Sequence, residues 1–237
     1  MEYRTIGAVT PSAVHPHLPR LSQAFTGVLC LEALIFQDPW VVAFALALVL
    51  VALFAPRWSP VHWFFRRIQR PAEELEPIGP VRFSQRLTAG ALALAVVLFL
   101  VGADTAGWVV AGAVAALALL SATTGLCVGC EVYRLMLLRR GADGDVRAGL
   151  GLRGAGPWLV VLTAPGCARC EPVARQLEDV AGPRSVVRVD ISRTPAAARL
   201  PVRSVPAVIA IGADGHIRRA SAGHLDRGAL EQAAAAV

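Results

Sequence analysis

Polar side chains almost disappear from four stretches in the first half of the chain: residues 21–36, 40–55, 87–103 and 107–126, of 16, 16, 17 and 20 residues. Residues 41–54 (VVAFALALVLVALF) have no polar position on any face. A helix that is apolar all round needs lipid or a large core around it, and these lengths approach those that cross a bilayer. Only Gln37, Asp38 and Pro39 separate the first pair, and only Asp104, Thr105 and Ala106 the second. Each pair therefore predicts a helical hairpin with a tight turn. Between the hairpins, residues 61–70 (VHWFFRRIQR) mix aromatic and basic positions in the manner of an interfacial amphipathic helix.

The pattern changes after residue 140. Residues 141–156 contain six glycines and predict a flexible linker. Short elements follow. Trp158–Thr163 reads as a buried strand, and residues 171–181 as a helix with Val173, Leu177 and Val180 on one face. Residues 185–191 predict a second strand, 194–200 a short helix, 207–211 and 216–220 two further strands, and 225–237 an alanine-rich helix. The expected organisation is an integral membrane four-helix domain over 1–140, a linker over 141–156, and a small α/β domain of order βαβαββα over 157–237.

Composition agrees with a membrane protein. Of 237 residues, 55% are hydrophobic and 17% charged, against roughly 25% charged in soluble domains. This excludes disorder and a disulfide-stapled miniature fold. All 23 basic residues are Arg. Residues 1–142 hold 11 Arg against 8 acids and residues 143–237 hold 12 against 9, so neither half carries the basic excess that a nucleic-acid partner demands. Placement of Arg says more than its number. Arg4, Arg20, Arg57, Arg66, Arg67, Arg70, Arg82, Arg86, Arg134, Arg139, Arg140 and Arg147 flank the apolar runs on one side, and the two tight turns hold none. The positive-inside rule then puts both termini and the C-terminal domain in the cytoplasm. The first 20 residues are polar and proline-rich, so no cleavable signal peptide is expected. A short repeat supports two parallel hairpins: Arg20-Leu-Ser-Gln-Ala-Phe-Thr26 matches Arg82-Phe-Ser-Gln-Arg-Leu-Thr88 at an offset of 62 residues.

Four of the five cysteines form two C-x-x-C pairs. Cys167-Ala168-Arg169-Cys170 follows the first predicted strand and opens a predicted helix. Unpaired N–H groups and the dipole of a helix N-terminus stabilise a thiolate, so Cys167 is the expected nucleophile and Cys170 the resolving thiol. Arg169 adds positive charge between them. This strand–CxxC–helix pattern, with Ser204-Val205-Pro206 ahead of a later strand, resembles the thioredoxin-like superfamily over about 80 residues. The resemblance implies that Pro206 is cis and faces the cysteines, and that the backbone at Val205 binds extended partners. Two features depart from typical thioredoxins. Gly166 rather than Trp precedes Cys167, and the first strand has no acidic residue to accept a proton. Both point to a narrower partner.

The second pair, Cys127 and Cys130, closes the fourth apolar run. Gly125 and Gly129 are candidates to break the helix and let residues 131–140 start a new one, with the cysteines near its N-terminus. Gly125-Leu-Cys-Val-Gly-Cys-Glu131 makes residues 16–140 similar to a bacterial membrane family of four short helices, domain of unknown function 4395, in which the Gly-x-Cys-x-Gly-Cys-Glu stretch ends the last helix. The resemblance brings no established activity. Glu32, Cys30 and Glu131 are further candidates for proton or thiol relay, since an ionisable group at membrane depth is a functional candidate by default.

The expected function is that of a thiol–disulfide oxidoreductase in the bacterial cell membrane. The two C-x-x-C pairs would exchange dithiol for disulfide, with a thiol or disulfide protein or a small sulfur compound as partner. Redox-active disulfides serve as the centres; no metal or organic cofactor is required, and a quinone is one acceptor the sequence leaves open. Four thiolates suit zinc, but the pairs are separated by 36 residues and sit in unlike settings, so a zinc site is not expected. The alternative is a small transporter or channel for a sulfur species with an attached thioredoxin-like reductase domain.

Overall fold

The computed structural model describes residues 13–68, 73–141, 145–182, 185–194, 196–197, 200, 202–223 and 225–237. Arg4, Arg70, the end of the amphipathic stretch, and parts of the linker and of the helix expected over 194–200 lie outside the described residues. The chain divides into two compact units. One comprises His17–Gln69 and Pro80–Tyr133; the other comprises Met1–Pro16, Arg70–Gly79 and Arg134–Val237.

The first unit is helical. Its helices are α1 (His17–Phe36), α2 (Pro39–Phe54), α3 (Pro60–Ile68), α4 (Ile78–Leu100, within the unit from Pro80), α5 (Asp104–Thr124) and the start of α6 (Val128–Gly141). Three of them, α1, α4 and α5, are long and apolar enough to cross a membrane, whereas α2 is apolar but has 16 residues. Their outer faces are apolar too: Phe25, Ile35, Phe44, Leu94, Val97 and Val109 are all exposed. Water penalises such a surface, and lipid does not.

Local chemistry sets the helix ends. Asp38 caps α2, its carboxylate accepting the Trp40 N–H at 2.9 Å, and Pro39 occupies the first helical position. Gly102 and Gly125 take left-handed conformations after α4 and α5, which glycine adopts without a Cβ penalty. Helix α4 starts nine residues before the apolar run expected at 87. Its polar first turns stay helical because Pro80 lies within the first turn, where no helical N–H is lost.

The 62-residue repeat has a structural counterpart. The buried stripe of α1 contains Gly27, Cys30 and Ala33, and that of α4 contains Ala89, Leu92 and Ala95, each 62 positions later. A side chain at Gly27 would come within 2.8 Å of Leu119 Cγ, so the missing Cβ lets α1 and α5 approach closely.

The second unit is built on a four-stranded sheet of order β4-β3-β5-β6, with β3 (Trp158–Thr163), β4 (Val186–Asp190), β5 (Ala207–Ile211) and β6 (Ile217–Ala222). Strand β3 runs parallel to β4 and antiparallel to β5. The near-continuous apolar runs WLVVLT and AVIAI are buried on both faces, as central strands require. Helices α8 (Cys170–Ala181) and α9 (Arg227–Ala234) cover one face through Val173, Leu177 and Leu230 on Leu159, Val161 and Val208. The other face packs under Ala197, Leu200, Leu150 and Leu75.

Leu150 belongs to a one-turn helix, α7 (Arg147–Leu150), inside the glycine-rich stretch. Val146 N–H donates to the Gly215 carbonyl at 3.1 Å. From Asp145 on, that stretch is therefore part of the sheet unit rather than free linker. A two-stranded ladder, β1 (Ala13–Val14) with β2 (Glu76–Pro77), completes the unit.

Candidate functional site

Each C-x-x-C pair is closed as a disulfide, and each lies at the start of a helix. In the sheet unit, β3 ends at Thr163 and Ala164-Pro165-Gly166 leads to Cys167. Gly166 takes a positive φ of 84°, and the Cys167 N–H donates to the Ala164 carbonyl at 3.3 Å. Cys167 and Cys170 have Cα atoms 5.5 Å apart, an ordinary disulfide separation. Cys170 is buried at the first position of α8, while Cys167 is half-buried. The outer sulfur is thus the accessible one, as a nucleophile requires.

The Val205 carbonyl faces this pair. The Val205–Pro206 peptide is cis, and the Val205 carbonyl oxygen lies 3.7 Å from Cys167 Sγ. The backbone of Val205 is already engaged. It exchanges two hydrogen bonds with Leu75, Leu75 N–H to Val205 O at 3.0 Å and Val205 N–H to Leu75 O at 2.8 Å. The Glu73 carbonyl oxygen lies 3.6 Å from Cys167 Sγ. Arg169 pairs with Glu74 at 3.2 Å, and Ser204 Oγ donates to the other oxygen of the same carboxylate at 3.1 Å. The positive charge expected beside Cys167 is therefore partnered.

In the helical unit, α5 stops at the left-handed Gly125 and α6 restarts at Val128. The restart comes three residues earlier than Glu131, because Gly129 is a helical residue and not a second break. A Cβ on Gly129 would fall 2.8 Å from Ser84 Oγ, so close packing explains this glycine. Cys127 stands where a capping residue stands. Its Sγ accepts the Cys130 N–H at 3.2 Å, and its carbonyl accepts the Glu131 N–H at 3.0 Å. The α6 N-terminus thus points its free N–H groups at this pair.

A cavity of about 230 Å³ opens beside Cys127. Most of its polar lining comes from the repeat, Ser22, Gln23 and Thr26 from one copy and Ser84, Gln85 and Thr88 from the other, with Ser121 of α5 added. Ser84 Oγ lies 3.4 Å and Gln23 Nε2 3.8 Å from Cys127 Sγ. Gln23 Oε1 is buried without a hydrogen-bond partner.

Other candidates lie apart from these centres. Cys30 is fully buried in the helical core as a free thiol, and Glu32 lies on the exposed face of α1, one turn from its end rather than mid-helix. Neither lines the cavity. Glu131 occupies the first turn of α6. No cluster of three or more potential metal ligands occurs among the described residues.

Sequence reasoning overlooked Glu73, Glu74 and Leu75, although an acidic run in a loop otherwise marked by Arg was a signal. It noticed the repeat but not that its Ser, Gln and Thr residues converge beside Cys127. No curated protein and no solved structure matches the chain. The family described as Domain of unknown function (DUF4395) matches residues 14–138, which take in the whole helical unit and the cysteine pair at its last restart, and the chain belongs to that family.

Proposed function

We propose that the protein is a membrane-bound thiol–disulfide oxidoreductase in which a thioredoxin-like domain and a four-span bundle exchange electrons through their C-x-x-C pairs. One observation carries this reading: both pairs are disulfides placed at helix N-termini. There the thiolate form is stabilised, and the thiolate is the species that attacks a disulfide and the species that leaves from one.

The exchange balances in two steps. The Cys167 thiolate attacks one sulfur of the Cys127–Cys130 disulfide and expels the other as thiolate. Cys170 then attacks Cys167, closes its own disulfide and releases the second membrane thiol. Two electrons pass to the membrane pair, and the reverse sequence returns them. No metal or organic cofactor takes part. The thioredoxin-like reading rests on the strand order, the C-x-x-C at the β3–α8 junction and the proline beside it. Four spans follow from counting α2 as a short span, and cytoplasmic termini from the Arg distribution. The bacterial cell membrane is the proposed location.

The test uses the full-length protein in lipid. Reduced protein should reduce 2-hydroxyethyl disulfide, and Cys167→Ser should remove that activity. Equal activity in wild type and variant would defeat the proposal.

The cavity beside Cys127 favours a second reading, a carrier for a small sulfur species. Its test is uptake of labelled thiosulfate into vesicles. Uptake that survives Cys127→Ser would not be by this route.

A further inference from the structure

The segment joining the two hairpins lies on the redox centre of the sheet unit as an extended ligand would. Leu75 pairs with Val205 through two backbone hydrogen bonds. Its side chain is buried, 7% exposed, in the cluster that contains Val205, Ile209 and Cys170. Both oxygens of the Glu74 carboxylate are held, one by Arg169 and one by Ser204. The Glu73 carbonyl lies beside Cys167 Sγ. Backbone pairing at an exposed edge supplies affinity in such an arrangement, and the flanking side chains supply specificity.

We propose that residues 73–75 are an internal occupant of the substrate groove, and that Arg169 and Ser204 select protein substrates in which the attacked cysteine is followed by an acidic and then an apolar residue. This rests on the redox reading above. The register is direct: cysteine replaces Glu73, the acid replaces Glu74, and the apolar residue replaces Leu75. The chain itself contains Cys130-Glu131-Val132, which has this order. Cys170-Glu171 does not qualify, because Pro172 lacks the N–H that the Leu75 position donates. The internal substrate of Cys167 is thus Cys130, with Cys127 as the leaving thiolate at the α6 N-terminus. Docking requires residues 73–75 to leave the groove and the first turn of α6 to open. The Cys167 thiolate then forms a bond to Cys130 Sγ, the Cys127–Cys130 bond breaks, and the electron pair leaves on Cys127.

The test uses full-length reduced protein in lipid, carrying Cys127→Ser and Cys130→Ser. Two synthetic peptides, one with Cys-Glu-Val and one with Cys-Arg-Val, each carry thionitrobenzoate on the cysteine, and its release is followed by absorbance. The Glu peptide should react roughly tenfold faster, the factor that about 1.4 kcal/mol of recognition gives. Arg169→Glu should reverse the preference. Glu74→Arg should raise the ratio of the Glu-peptide rate to the 2-hydroxyethyl disulfide rate several-fold, and Glu74→Gln should do the same if the charge reversal disturbs folding. Equal rates for both peptides, with the small disulfide still reduced, overturn the groove assignment and leave the redox reading intact. Loss of reaction with every disulfide, in a folded protein, overturns both.

Discussion

Single residues decide the chemistry of both cysteine pairs. Cys127 combines two roles, being a disulfide partner and also the residue whose Sγ accepts the Cys130 N–H in the first turn of α6. Replacing it with Ser keeps a capping acceptor, so Cys127→Ser should retain helix content by circular dichroism while Cys127→Val loses stability by about 1 kcal/mol. A larger loss for Ser than for Val would contradict the capping role. Asp145 offers a separate check on how the glycine-rich stretch is anchored. A hydrogen bond from the Arg147 side chain is the main cause that lowers its carboxyl from 3.8 to about 2. A carboxylate depressed in the folded state stabilises fully above its ordinary value. That contribution fades as pH falls from 3.8 toward about 2. Arg147→Ala should return the Asp145 titration, followed by carboxyl carbon NMR, toward 3.8. An unmoved titration would mean that the pair does not persist in solution.

At the scale of elements, the apolar pattern was legible and the exceptions are instructive. Strands Trp158–Thr163 and Ala207–Ile211 fall where their uninterrupted apolar runs place them. The first turns of α4 are hidden in the sequence because Arg82, Ser84, Gln85 and Arg86 look like a polar loop. Instead, Ser84 and Gln85 line the cavity within the helical unit. The burial of Leu150 is hard to read from the sequence because six glycines surround an apolar side chain that packs in the sheet unit's core. Leu75 is illegible for a similar reason, since its burial accompanies a bridge to Val205, 130 residues further on, and local pattern carries no information about that pairing. Helix packing gives a direct prediction. A side chain at Gly27 meets Leu119, whereas one at Gly90 meets nothing within 4 Å. Gly27→Val should destabilise the bundle by about 1–3 kcal/mol, and Gly90→Ala should be neutral or mildly stabilising. Thermal unfolding in micelles distinguishes them, and equal effects would contradict the close α1–α5 approach.

For the whole molecule, the sequence separates a membrane part from a redox part, but the compact units do not follow the chain in that order. Residues 70–79, from between the two hairpins, belong with the sheet unit. Segment 73–75, which lies beside Cys167 and Val205, is therefore part of the loop that joins the repeats. Under the proposed function Cys167 exchanges directly with the membrane pair. Cys170→Ser prevents resolution of a Cys167 mixed disulfide, so the intermediate should accumulate in membranes quenched with acid. Mass spectrometry of the disulfide-linked peptides is the decisive measurement. The expected product is a Cys167–Cys130 link, lost in Cys130→Ser. Cys167 linked only to another protein, with Cys127–Cys130 still closed, would contradict it.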